Sequence, residues 1–307
     1  MKKTALTALA LLTLSACTSN GDISLTNPLD SLNYFKEESA KRIAAPVFML
    51  PRTIKANEFN LKSYERVHEK GEPVILYIGR DSHHTGLSSP ESRNPVGLRL
   101  AAQDAMTNVI YLAQACQYVG DHDDCPSEYM DEKRQSPEVI AAFNTALNNI
   151  RGYHNVSGFH VVGYDGGAVI AAVLAAQRED VLSLRTVAGI LDTQCYVHSD
   201  NPPHSGQSLS AVDIAPQLAN TPQHHFIGQI DEQVPPAIYH SFEQAMGEST
   251  CTHMTIVPDA SHEDRWVEQW KQLRRKPFAC ETVEELAPVP FEPETLDKIG
   301  GPKGYSK

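Results

Sequence analysis

A five-residue turn restricts this chain more than any other feature. Gly163-Tyr-Asp-Gly-Gly167 lies between an apolar run beginning at Phe159 and a small-residue segment from Gly166 to Arg178. A strand that passes into a helix through so few residues forces the central residue to positive φ. Side chains two residues to either side would then collide, and glycine at 163 and 167 removes the collision. Asp165, the central residue, is of a type that tolerates the left-handed region. Gly166, Gly167, Ala168, Ala171 and Ala172 let the following helix approach a sheet closely.

Apolar periodicity extends this strand–helix unit in both directions. Val47 to Leu61 alternates as an antiparallel hairpin. Pro73–Ile78, Asn108–Ala113, Phe159–Gly163, Leu182–Leu191, His225–Ile230 and His253–Val257 read as strands. Helical spacing is predicted for Leu98–Met106, Gly166–Arg178, Ser210–Leu218, Pro236–Met246 and Glu263–Leu273. Another helix starts after Ser136 as N-cap, with Pro137 at its first position, and runs to about Ile150. Buried strands alternating with helices predict an α/β fold, a mostly parallel sheet with helices on both faces. Trp266 and Trp270, four residues apart on the last helix, read as core anchors. With 307 residues, 41% of them hydrophobic, one large domain over residues 46–280 accounts for the pattern. Residues 18–45 read as a tether, and 281–307 as a Pro-containing, extended tail.

The first 17 residues, MKKTALTALALLTLSAC, carry two lysines, an apolar stretch and small residues. The apolar stretch is too short to span a bilayer and reads as a secretory signal. Leu14-Ser-Ala-Cys17 resembles the bacterial lipobox, which implies cleavage before Cys17 and acylation of that residue. Several acyl chains make a stable anchor. Thr18, rather than Asp, after the lipidated Cys implies an exported protein at the outer membrane, facing the periplasm or the cell surface. The lipid bilayer is then one partner. A net charge of −12 argues against nucleic acid as another. In an oxidising compartment disulfides persist. Cys116 and Cys125 flank a polar, turn-like segment and are the expected bridge; Cys251 with Cys280 is a candidate second pair, and the pairing of Cys195 stays open.

Chemistry concentrates at three strand ends: Asp165 in the Gly-rich turn, Asp231 in Gly228-Gln-Ile-Asp-Glu-Gln-Val-Pro-Pro236, and His262 in Asp259-Ala-Ser-His262. A turn of the form G-x-nucleophile-x-G, then an acid, then a histidine, is the chain order of the α/β hydrolases. From about Leu61 to Leu273 the chain resembles that superfamily, most of all bacterial exported or lipid-anchored members with a Y-S-G-G elbow. The resemblance implies that Asp165 stands at the nucleophile position, that Asp231 orients His262, and that His262 activates water. An oxyanion hole would come from the Gly166 amide and an amide after the first parallel strand, near Gly79, Arg80 or Asp81, with Arg80 the preferred donor. A small-molecule substrate or ligand is implied, and neither a cofactor nor a metal.

Asp165 departs from the serine of such elbows. A carboxylate attacking an acyl carbon gives a mixed anhydride, a high-energy intermediate, whereas attack on sp³ carbon suits it. Epoxide hydrolases and haloalkane dehalogenases of the superfamily use an elbow Asp in that way, but this chain has Gly166 where dehalogenases carry Trp. Residues 192–209 supply a lid loop rather than a cap domain, with Tyr196 its only tyrosine. Two readings follow. One is a hydrolase acting on a small molecule through Asp165, Asp231 and His262, with Asp165 as nucleophile or as general base on water. The other is a catalytically inactive envelope binding protein, in which Arg80 could pair with Asp165. In either case neighbouring carboxylates should favour the protonated form of His262. The runs Asp121-His-Asp-Asp124, His83-His84 and His224-His225 are better read as solvated or divergent side chains than as chelates.

Overall fold

A computed structural model describes residues 37–81, 94–118, 126–130, 132–195, 207–276 and 279–280. The signal segment, Cys17, His83-His84, Asp121–Asp124, Cys125, Tyr196 and the tail from 281 lie outside the described residues.

The predicted hairpin opens the sheet. β1 (Leu50–Ala56) pairs antiparallel with β2 (Phe59–Arg66), with Ala56 opposite Phe59. Asn57 takes φ 55° in the two-residue loop, the left-handed conformation that tight hairpins demand. β2 then pairs antiparallel with β4 (Val109–Leu112). From there all neighbours are parallel: β4, β3 (Val74–Ile78), β5 (Phe159–Tyr164), β6 (Val181–Val187), β7 (Gln223–Gly228) and β8 (Thr252–Val257). The full order is β1-β2-β4-β3-β5-β6-β7-β8.

Helices cover both faces, as the strand–helix alternation requires. One core holds the buried sides of the helices Pro137–His154, Gly167–Gln177 and Pro236–Met246. The other packs Val96–Gln103 and Trp266–Leu273 against the opposite face. Ser136 caps its helix as expected, its hydroxyl accepting from the Val139 amide at 3.5 Å. Trp266 and Trp270 are fully buried, in line with their predicted anchoring role.

Several elements differ from expectation. The tether does not extend to residue 45: residues 37–44 form a helix whose Ala40 and Ala44 are buried in the second core, with Lys62 holding Glu37 at 2.7 Å. Its apolar face is Ala40, Ile43 and Ala44, a single turn that is too short to stand out in a polar sequence. Ala211–Leu218 is a 3₁₀ helix, with Pro216 inside it. β6 stops at Val187 rather than Leu191, and the last helix starts at Trp266 rather than Glu263, after Arg265 at φ 75°.

Cys251 and Cys280 form a disulfide that ties the end of the domain to β8. Cys116 is also disulfide-bonded, while Cys195 is exposed and free. Among the described residues no helix is long and apolar enough to cross a membrane.

Candidate active site

Asp165 sits at φ 54° directly after β5, as the turn predicted. A Cβ at Gly163 would lie 2.5 Å from the Ala168 Cα, and one at Gly167 would run into the Gly79 carbonyl, so both glycines are required by contact. The backbone at the turn is fully tied: the Asp165 amide donates to Val187, and its carbonyl accepts from Ala168 and Ile190.

Arg80 and Asp81 follow β3, Asp231 follows β7 and His262 follows β8. These are the carboxyl ends of parallel strands, where open α/β sheets gather functional loops. Asp231 is fixed by the amides of Gln233 and Val234, each 2.9 Å from Oδ1. Its Oδ2 accepts from His262 Nδ1 at 3.0 Å. The other imidazole nitrogen, Nε2, lies 3.3 Å from Asp165 Oδ1. The His262 loop is pinned through its own carbonyl, which accepts from the Tyr164 hydroxyl and the Trp266 indole, both at 3.0 Å. The sequence-predicted trio is therefore brought together, with Asp165 only 2% exposed and His262 3%.

The second Asp165 oxygen is also occupied. Arg80 Nε lies 3.1 Å from Oδ2, and Arg80 Nη1 donates to Glu263 at 2.6 Å. The Arg80 side chain, not only its backbone, thus reaches the elbow. Burial lowers the Arg80 guanidinium's affinity for its proton, but Asp165, Tyr164 and Glu263 outweigh it and hold the charge firmly. For His262, burial likewise pushes down, and the carboxylates of Asp165 and then Asp231 raise its pKa to about 9. Both carboxylates thus favour the imidazolium form of His262, which lies between them.

Gly166 completes the picture. A Cβ there would meet the Asp81 carboxyl group at 2.5 to 2.6 Å. Asp81 is itself held by Gln135 Nε2 at 2.8 Å and by Arg134 at 3.3 Å. A carboxylate therefore packs against the residue whose amide was expected to stabilise an oxyanion. Gln114 and Gln117 brace this corner by donating to the carbonyls of Gly79 and Arg80. Glu263, Gln135, Gln114 and Gln117 were not found from the sequence. They lie 35 to 183 residues from these partners and share no local motif with them. Arg134, beside Gln135, escaped notice for the same reason.

Comparison with solved structures decides the architecture. The chain has the α/β-hydrolase fold. A serine hydrolase homologue from Coxiella burnetii aligns with a TM-score of 0.51 and 17% identity, over 73% of this chain and 93% of that one. Est1E from Butyrivibrio proteoclasticus gives 0.51 and 13%, over 73% and 95%. The acylaminoacyl peptidase of Pyrococcus horikoshii gives 0.55 and 13%, over 78% and 44%. No family model and no curated relative matches the sequence. At these identities the likeness is one of fold, and function must be argued from the site.

In this site the two Asp165 oxygens lie against His262 and Arg80, and the Asp81 carboxyl group packs against Gly166. Among the described residues no group of three or more His, Cys, Asp or Glu side chains is placed to hold a metal ion.

Proposed function

We propose that this protein is an exported, lipid-anchored member of the hydrolase fold that binds a small molecule and does not catalyse acyl transfer. The pairing of Arg80 with Asp165 carries this reading. With Arg80 on one oxygen and His262 on the other, Asp165 serves as the buried centre of an ion-pair chain, Glu263–Arg80–Asp165–His262–Asp231, whose Glu263 end is partly exposed. Such chains fix a unique arrangement of loops, and breaking one member costs several kcal/mol. The fold then supplies a scaffold whose loops are locked by charge. Cys17 provides the membrane attachment and the exported location.

Ester turnover by the soluble chain beginning after Cys17 tests the reading. Wild type and Asp165→Ala are both expected to be silent towards short-chain p-nitrophenyl esters. Asp165→Ser is expected to stay silent as well, because Asp81 still lies against Gly166. Wild-type turnover that disappears in Asp165→Ala would overturn it. For the anchor, labelling with a radioactive fatty acid should mark the wild type and not Cys17→Ala.

A second reading has one observation in its favour: His262 lies between two carboxylates, 3.3 Å from Asp165 and 3.0 Å from Asp231. In it Asp165 attacks an epoxide carbon and forms an alkyl ester while the ring C–O bond breaks, and the released oxygen takes the proton of His262. Neutral His262 then draws a proton from the water that cleaves the ester. Turnover of an epoxide in ¹⁸O-water would then leave the label in the Asp165 carboxyl group.

A further inference from the structure

One corner of the sheet, far from Asp165, presents apolar side chains to water. Phe48 is 74% exposed, Leu50 70%, Tyr153 68% and Met106 50%. Two arginines tie the four together. Phe48 and Leu50 flank the buried Met49 where β1 begins. Arg52, two residues on, sets its guanidinium over the Tyr153 ring, 4.6 Å from the centroid. Arg66 donates from Nη1 to the Val47 carbonyl at 3.0 Å and from Nη2 to the Met106 carbonyl at 3.1 Å. β1 runs parallel to β4, because both pair antiparallel with β2, so Leu50 lies at the amino end of the parallel strands. Phe48 also holds φ 60°. Glycine or asparagine suits that conformation, whereas a bulky side chain there is strained. With its ring mostly in water, Phe48 adds little packing to offset the strain. Exposed apolar residues gathered among polar ones mark an interaction surface.

The way the chain enters the domain names the occupant. The helix over residues 37–44 begins where Lys62 holds Glu37 and leads through Ala45–Val47 to Phe48. At 1.5 Å per residue it is about 12 Å long, so residue 37 stands close to the corner. Residues 18–36 join it to Cys17 and reach at most about 70 Å when fully extended. An acylated Cys17 keeps the corner within reach of the bilayer and makes a weak contact with lipid effectively intramolecular. We propose that Phe48, Leu50, Met106 and Tyr153 seat the domain on the lipid surface to which Cys17 attaches it. Phe48 and Leu50 enter the boundary between headgroups and acyl chains, and Tyr153 lies at headgroup level with its hydroxyl wet. Apolar contact rather than charge drives the seating. Lys41 and Arg42 are each paired with a glutamate four residues back, and the chain carries a net charge of −12. A zwitterionic surface is therefore enough, and salt has little effect. Seated in this way, the domain turns the strand ends that carry Asp165, Asp231 and His262 away from the bilayer, and ligand arrives from water.

This goes beyond the binding reading and rests only on its lipid anchor. Flotation of the unacylated chain beginning at Thr18 with phosphatidylcholine vesicles tests it. Wild type is expected to float with the vesicles at low and at high salt alike. Phe48→Gly/Leu50→Ser should lower the partition coefficient about tenfold or more. Ile256→Ser, exposed on the opposite edge strand β8, should leave it unchanged. Phe48→Gly alone separates seating from folding. Glycine relieves the positive φ, so the thermal midpoint should rise while partition falls about threefold. Wild type that stays with the unbound fraction, binding that salt abolishes, a double variant that floats as well as wild type, or a Phe48→Gly with a lowered midpoint would each overturn the proposal. So would lipid-free dimers of the wild type that the double variant dissolves in sedimentation, which would give the corner to a second copy. Fatty-acid labelling separates the two failures. An unlabelled wild type removes the anchor whatever the vesicles do, whereas a labelled protein whose unacylated chain does not float removes the seating alone.

Discussion

Arg80 Nε stands 3.1 Å from Asp165 Oδ2, joining the loop after β3 to the elbow after β5. The strands are parallel neighbours, so the pair locks two adjacent loops at one end of the sheet. Because both side chains are almost wholly buried, neither can exchange its partner for water at low cost.

Removing that guanidinium should be expensive. Arg80→Ala is expected to lower stability by about 3–5 kcal/mol, the usual cost of leaving a buried charge unpaired. Asp165→Asn should cost less in the Arg80→Ala background than in wild type, with a coupling of about 1–3 kcal/mol. Urea denaturation of the four proteins in the cycle measures both.

His262 sets a pH window. Its pKa is about 9 when folded and near 6.5 when unfolded, so the folded state binds the proton more tightly. The stability this contributes is complete below about pH 6.5 and is lost as pH rises through 9. Wild type should therefore lose up to about 3 kcal/mol over that interval relative to His262→Gln. Parallel denaturant titrations at several pH values check the difference; identical slopes for the two proteins would refute it.

Gly166→Ala tests the close approach of Asp81. Gly166 has φ −62° and ψ −21°, helical values that suit alanine, so the backbone by itself would gain stability from the change. The new methyl instead meets the Asp81 carboxyl at 2.5 Å. A loss of about 1–3 kcal/mol is expected in wild type. The loss should shrink or change sign in the Asp81→Gly background, as read from thermal midpoints.

The Cys251–Cys280 bridge closes a loop with a sequence separation of 29 residues. Chain entropy assigns such a loop about 3–4 kcal/mol. Cys251→Ser/Cys280→Ser should lower stability by about that amount under oxidising conditions. Reductant should affect the double variant less than the wild type, which calorimetry with and without dithiothreitol measures.

Elements with a strong period are legible in the residues alone. Pro236–Met246 coincides with its expectation because Pro236 opens it and Gly247, at φ 78°, closes it. The strands β3 and β4 fall within a few residues of theirs, since buried parallel strands read as continuous apolar runs. The helix over residues 37–44 reads as tether, because Ala40 and Ala44 acquire their apolar role only when the sheet lies beneath them.

The amino-acid order alone establishes the hydrolase-fold succession of Asp165, Asp231 and His262. A strand-to-helix turn of that tightness has few chemical solutions and writes its glycines at fixed spacing. The same residues leave the pairing of Arg80 with Asp165 as one of two outcomes. Three-dimensional geometry selects it, because charge pairing and burial depend on distances through space. The partners Asp81–Gln135 and Arg80–Glu263 are 54 and 183 residues apart along the chain. No local pattern encodes which cation meets which carboxylate; that is set by the order of the strands and the loops they carry to one edge of the sheet.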